Sequence, residues 1–456
     1  MVGTVRFATQ VTTAQKLDVQ LLSGFPRQVG NADAATRCKR CSATSRCRRH
    51  AAVTLSQQEP AARPATVIVQ KQVKISSSFD AGNINVAEQP VVKDAQVEVG
   101  LEIVPEPFCE TDSRAHFQWY YFRASGVRSK SCKFRVKNAG DASYEPGWQG
   151  YNSTASYDRQ HWFRVPTTYD EETGELCIEH TPEKDVCYYA YFAPYSLERH
   201  ADLVSWAVTE GNATATELGM TLDGYPLDLI VAGSGPTPIW IIARQHPGES
   251  MAEWWMEGLI KRLLDSNDPL SASLLQKATF FMVPNVNPDG SRRGHLRTNA
   301  AGRNLNREWA KPSEEASPEV YHILKAMSST GCDLFLDVHG DEALPYNFIA
   351  GGEGIPCWGP HLQDLQDRFK SAYMRDSPDF QVVHGYPEDE PGQANLTIGS
   401  NAVGEKFQCL SMTLEQPFKD TADTPRPEQG WCPERAMKFG ESVLGAINEV
   451  IGDLRK

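Results

Sequence analysis

No apolar run in this chain approaches the roughly 18 residues that a membrane-spanning helix needs, so no transmembrane segment is expected. The N-terminus also lacks the basic start and continuous apolar core of a secretory signal. Cations are in short supply: 45 Lys and Arg face 58 Asp and Glu, a net charge of -13. That balance argues against a general nucleic-acid binder and against a protein held on anionic membranes. No unit recurs at a fixed period, and the glycine pattern of a phosphate-binding loop is missing. What is present is 456 residues, 40% of them apolar, enough to bury a sizeable core in two to three domains.

Acidic residues are scarcest at the start. Residues 1–70 carry ten Lys and Arg against Asp18, Asp33 and Glu59, with no hydrophobic period. An acid-poor leader rich in Arg, Ala and Thr reads as a disordered segment with the composition of an organellar transit peptide, for plastid or mitochondrion; without that address the chain is expected in the cytoplasm. Cys38, Cys41, Cys47 and His50 lie inside this leader. They lack standard finger spacing and flanking apolar residues, so they are not read as a metal site. Cys177 and Cys187 bracket "CIEHTPEKDVC", which the spacing predicts to be a hairpin with the two thiols facing each other.

From residue 71 the composition changes. "AQVEVGLEIV", "FQWYYFRASG", "SCKFRVKNAG" and "DVCYYAYFAPYS" are short runs of β-formers split by Gly, Asp and Asn. Their spacing predicts an antiparallel β-sandwich over 71–210, with no long helix. Beyond it, strand-like "PIWIIARQ", "ATFFMVPNVNPDG", "CDLFLDVHGDE" and "FQCLSMTLEQP" alternate with helical periods. In the helix "SMAEWWMEGLIKRLLDS", Trp255, Met256, Leu259, Ile260, Leu263 and Leu264 share one face. The alternation predicts an α/β domain with a mixed sheet over 211–456.

Ligands of open α/β sheets gather beyond the carboxyl ends of the strands, and the polar residues cluster at those ends here. His246 and Glu249 follow one strand, His339 a second, and Glu415 ends a third. Each alone is an ordinary loop residue. Together, two imidazoles and a carboxylate form a three-ligand zinc set that leaves a fourth position for water or substrate. Between them, "NPDGSRRGHLRTNAAGRNLNREW" carries Arg292, Arg293, Arg297, Arg303 and Arg307. Arginine forks suit capture of a carboxylate, so Asn306 and Arg307 are candidates to clamp a terminal carboxylate and Arg297 to face a developing oxyanion. Zinc, a free carboxylate base and a carboxylate clamp suit cleavage beside a peptide's C-terminus.

These motifs, "HPGES", "NPDG", "GHLRTNAAGRNLNREW", "LDVHG" and "SMTLE", resemble the zinc metallocarboxypeptidases of the carboxypeptidase A/B superfamily, and within it the cytosolic-carboxypeptidase branch. The resemblance covers residues of about 75 to 452 and extends to the β-rich front, in "FQWYYFR" and "GYNSTASYDRQHWFRVP". It implies one zinc ion (Zn2+) on His246, Glu249 and His339, and Glu415 as general base. It implies Arg297 on the scissile carbonyl, and peptides or protein C-terminal tails as substrate, with acidic tails the branch's known preference. Tyr386 is the nearest match to the family's substrate-contacting tyrosine, and Arg303 is placed to floor a basic pocket. The branch reads His-Gly-His-Ser where this chain has "HGDEAL". Asp341 and Glu342 there either alter the charge of the rim or, for Asp341, hold an imidazole from behind. Two rivals share the ligand set: a zinc hydrolase of N-acyl amino acids and a non-catalytic binder of C-terminal tails. Oligomeric state is not readable from the sequence.

Overall fold

The computed structural model describes residues 72–109 and 116–455; the leader, with its transit-peptide and cysteine-cluster readings, lies outside the described residues. Strands β1 (Lys74–Ser76), β2 (Asn85–Lys93), β3 (Gln96–Glu102), β4 (Tyr121–Ser125), β5 (Ser131–Val136), β6 (Ser153–Ser156), β7 (Phe163–Val165), β8 (Thr167–Asp170), β9 (Glu175–His180) and β10 (Val186–Ala190) open the chain. They form two five-stranded sheets, ordered β1-β4-β10-β6-β7 and β2-β3-β5-β9-β8. The alternation that makes them strands is plain in β5, where Cys132, Phe134 and Val136 are buried and Lys133 is exposed. Phe134 meets Phe122 and Tyr189 of the other sheet at ring-centre distances of 5.4 and 4.9 Å, which closes the sandwich. All pairings are antiparallel except β3 with β5, because the chain visits the other sheet as β4 between them.

Two expectations change here. Cys177 and Cys187 do not share a hairpin: β9 pairs with β5 and β8, whereas β10 pairs with β4 and β6 of the opposite sheet. Both thiols are free. A helix, α1 (Leu197–Thr209), also stands where the sandwich pattern was expected to continue, and the Ser196 hydroxyl caps it by accepting from the Arg199 amide.

The rest of the chain alternates: β11 (Thr214–Met220), β12 (Pro226–Gly233), β13 (Thr237–Ala243), α2 (Ser250–Leu263), α3 (Pro269–Lys277), β14 (Ala278–Val283), α4 (Pro288–Arg293), α5 (Pro318–Thr330), β15 (Leu334–Val338), β16 (Phe348–Ala350), α6 (Pro360–Asp376), α7 (Gly399–Phe407), β17 (Leu410–Glu415) and α8 (Pro433–Val450). The seven-stranded sheet runs β11-β12-β14-β13-β15-β17-β16, with β14, β13, β15 and β17 parallel. These inner strands are buried on both faces, hence their near-continuous apolar runs. Ile239 and Ile241 face α2, α6 and α8; Trp240 and Ile242 face the core shared with α5 and α7. Trp255 is fully buried, and its indole N–H donates to the Tyr373 hydroxyl at 3.0 Å.

Helices α2 and α8 approach closely enough to exclude a side chain. A Cβ on Gly258 would lie 2.0 Å from the Met437 carbonyl oxygen, and one on Gly440 1.9 Å from that of Trp255. Among the described residues, no helix is long and apolar enough to cross a membrane.

Candidate active site

Strand β13 ends at Ala243, and Arg244 turns the chain with φ 61°, a conformation uncommon for a side chain of this size. The buried Arg244 guanidinium holds the corner. Its Nε donates to the Pro247 carbonyl at 2.9 Å, and one Nη donates to the Tyr195 carbonyl and the Glu253 carboxylate at 2.8 and 2.7 Å. This scaffold presents His246 and Glu249 side by side. Glu249 occupies the cap position of α2, yet its carboxylate caps nothing and points into the site.

His339, one residue beyond β15, completes the cluster, and the candidate donor atoms of His246, Glu249 and His339 all lie within 4.8 Å of one another. The Glu249 carboxylate reaches Nδ1 of His246 at 2.7 Å and Nδ1 of His339 at 2.8 Å, and the two Nδ1 atoms are 3.2 Å apart. Each outer nitrogen has its own partner. His246 Nε2 lies 3.0 Å from the Asn304 side-chain oxygen, and His339 Nε2 lies 3.0 Å from the Asp337 carboxylate. Oxygen acceptors on both Nε2 atoms fix the tautomers that leave Nδ1 free for an ion. Nitrogen and carboxylate donors in this number suit zinc with an open fourth position. Burial, aided by the Arg297 charge, pushes His246 down to about 3, whereas at His339 burial is outweighed by Asp337 and Glu249, which hold it well above the usual imidazole range. Burial works against ionised Glu249, but the two imidazoles outweigh it and hold the carboxyl well below its usual range.

The cluster opens into a cavity of about 1000 Å³ also lined by Glu415, Arg297, Asn306, Arg307 and Tyr386. Glu415 ends β17 and is buried, and its Oε2 has no hydrogen-bond partner. Burial first, then the neighbouring carboxylates, lift it well above the usual carboxyl range against the pull of His339. A carboxyl lifted in this way is a stronger base than an exposed one. The Arg297 guanidinium lies 5.4 Å from the centre of the Tyr144 ring, an aromatic supplied by the connection between β5 and β6. The Asn306 side-chain oxygen accepts from the Gly399 amide at 2.7 Å, so α7 fixes it in the wall.

Two placements differ from expectation. Arg303 does not line the cavity: it is drawn to Glu308, with Nη2 2.9 Å from the carboxylate, so it floors no pocket. Asp341 backs no imidazole. It accepts from the Tyr386 hydroxyl at 2.6 Å and from the Ala343 and Leu344 amides, while Asp337 stands behind His339. Glu342 is buried in the wall, its carboxyl pushed well above the usual range by burial and by Glu249 against the opposing Arg297. Arg244, Asn304 and Asp337 are the residues that sequence reasoning passed over. The signal available for Asp337 was a lone acid inside the apolar run "LFLDV".

Comparison with known proteins places this arrangement. Residues 208–350 match the family described as zinc carboxypeptidase, and residues 75–192 match the cytosolic carboxypeptidase N-terminal domain. The molecule is thus a metallocarboxypeptidase by class. An uncharacterised protein of Zymomonas mobilis is 45% identical over 382 residues, 84% of this chain and 97% of the relative. A solved structure of a metallo-carboxypeptidase from Pseudomonas aeruginosa, in complex with (2-guanidinoethylmercapto)succinic acid, superposes with a TM-score of 0.78 at 43% identity. That match covers 84% of this chain and all of the other. Mouse cytosolic carboxypeptidase 4 is 27% identical over 351 residues; these are 66% of this chain but only 30% of that protein. The chain belongs to the zinc carboxypeptidase family, whose members use zinc and act on peptides.

Proposed function

We propose that the chain removes residues from the C-termini of peptides or protein tails, with one zinc ion held by His246, Glu249 and His339. The observation that carries the reading is the convergence of these three with Glu415, Arg297, Asn306 and Arg307 on one cavity. Zinc bound there would supply a Lewis acid and lower the pKa of a water. Glu415, buried with a free Oε2, takes the proton of the attacking water and returns it to the leaving amine. Arg297 faces the oxygen on which charge develops, and Asn306 and Arg307 hold the terminal carboxylate. Tyr386, anchored by Asp341, stands at the rim as a substrate contact.

The resemblance implies acidic tails, and the cavity favours a second reading. Lys370, a lining cation like Arg297 and Arg307, sits 3.6 Å from Glu353, and Asp341, Glu388 and Asp389 line the same space. A basic terminal side chain suits this charge better than an acidic one. The Pseudomonas relative's ligand joins a guanidino group to a succinic acid, which is compatible with that reading.

A peptide library varied at its last residue, followed by mass spectrometry with and without a zinc chelator, tests both. Loss of one C-terminal residue, blocked by chelation, is expected, and the residue lost identifies the preference. Intact peptides alongside hydrolysed N-acyl amino acids would point to the acylase instead, and binding without cleavage to the tail-binding alternative. Glu415→Gln is expected to keep its zinc while losing turnover by about 10² or more; retained activity would remove Glu415 from the role of base.

A further inference from the structure

The loop that carries Arg297 is braced along its length by the connections that precede β2 and follow β3. The Ala81 amide donates to the Arg292 carbonyl at 2.9 Å, and the Asn83 side-chain amide donates to the Gly294 carbonyl at 2.9 Å. Further on, Gly302 passes so close to residue 108 that an added Cβ would lie 2.2 Å from the Phe108 carbonyl oxygen. Between these points sits one buried carboxylate, that of Glu106, which is 5% exposed. One of its oxygens accepts from the amides of Leu296 and Arg297 at 2.6 and 2.9 Å. The other accepts from the Thr298 amide at 2.9 Å and the Thr298 hydroxyl at 2.5 Å.

Three consecutive amides aimed at one anion form a fixed cradle, and charge-assisted bonds of this kind are about twice as strong as neutral ones. A buried carboxylate is costly without donors, and here the donors are the backbone of the loop itself. From the front, Tyr144 offers its ring to the Arg297 guanidinium at 5.4 Å. The arginine is therefore gripped at backbone and head by residues that lie outside the sheet bearing the metal cluster.

We propose that Glu106 is a positioning residue for Arg297: it sets the height and direction from which the guanidinium meets the developing oxyanion. This rests on the reading of Arg297 given above. A displacement of about 1 Å at such a group costs on the order of 10² in rate, so the effect falls on kcat.

The test is a double-mutant cycle in the full-length zinc-loaded protein, with kcat, KM, zinc content and Tm measured on the peptide the library selects. Arg297→Ala is expected to lower kcat/KM by about 10² to 10³. Glu106→Gln keeps the side-chain length but loses one acceptor pair. It is expected to lower kcat by about 10 to 10², with KM within about twofold and zinc content unchanged. In the Arg297→Ala background, Glu106→Gln should add nothing, because its effect travels through the missing guanidinium. Thr298→Val, a milder change that removes only the hydroxyl donor, should lower kcat a few-fold and be equally silent without Arg297. It keeps the test open should Glu106→Gln fold poorly. Losses that multiply in the double variants would overturn the proposal, as would a Glu106→Gln enzyme with the kcat of the parent. An Arg297→Ala enzyme of full activity would instead overturn the reading of Arg297, and the proposal with it.

Discussion

His339 shows how much of a metal site is made by residues that touch no metal. Its ring is held between the Glu249 carboxylate on Nδ1 and Asp337 on Nε2, and Asp337 in turn accepts from the Gln245 side chain at 2.5 Å. Gln245 accepts from the Trp309 indole at 2.9 Å, so the chain of bonds runs into the core. Asp337→Asn offers an amide that satisfies Nε2 only in one orientation. It is expected to weaken zinc binding by about 10- to 100-fold, measured by competition with a chelator. Zinc affinity equal to that of the parent would show that Asp337 does not orient His339. At this scale the sequence was readable where a polar residue broke a pattern at a strand end, as for His246, His339 and Glu415. Asp337 sits inside a fully buried strand, where pattern offers no role, whereas Asp341, equally close to His339 along the chain, lies in the open loop beyond it. Asn304 and Glu106 act across 58 residues and 190 residues of sequence, and no local spacing encodes that.

Between elements, the sequence pattern of α1 conceals its packing. His200, Leu203 and Ala207 form its buried stripe, but the stripe begins with an imidazole, so the helical period is weak to the eye. That imidazole lies between Glu253 of α2 at 2.7 Å and Asp228 of β12 at 3.2 Å. Burial alone would lower its pKa, but the two carboxylates outweigh it and push His200 up to about 9. The folded value thus lies above the ordinary value of about 6.5. The charged form stabilises the fold fully below pH of about 6.5, and the stabilisation is lost as pH rises through about 9. Denaturant unfolding between pH 6.5 and 9.5 should show the parent losing stability faster than His200→Gln, by on the order of 3 kcal/mol across the window. Parallel curves would remove His200 as the source.

The whole molecule is interlocked across its two sheet systems. Arg164 of β7 donates to the Phe418 and Trp431 carbonyls at 2.7 and 2.9 Å, and Lys419 donates to the Gln149 carbonyl at 2.8 Å. Tyr191 stacks on Phe418 with ring centres 4.5 Å apart, and Tyr144 enters the cavity itself. Residues 208–456 alone would expose Phe418, leave the Phe418 and Trp431 carbonyls without the Arg164 donor, and strand the Lys419 ammonium. Expressed without the preceding sheets, they are expected to aggregate or to lack cooperative unfolding and activity. A soluble, cooperatively folded and active fragment would contradict the interlock. The change of rhythm from short strands to alternating strands and helices was legible in composition. The bonds that tie the two parts were not, because Arg164 and Phe418 stand 254 residues apart.

The contact of α2 with α8 bears on a ligand it never touches. Gly258 and Gly440 each bring a carbonyl of the other helix to about 2 Å from where a Cβ would stand, roughly 1.5 Å inside ordinary contact. Glu249 forms the first link of α2, and Gly258 lies nine residues along the same rod. A methyl group at either glycine would shift the rod, and the carboxylate at its tip would move with it. The gauge that sets the Glu249 carboxylate's distance from the two imidazoles is thus kept partway along a helix, by two hydrogens.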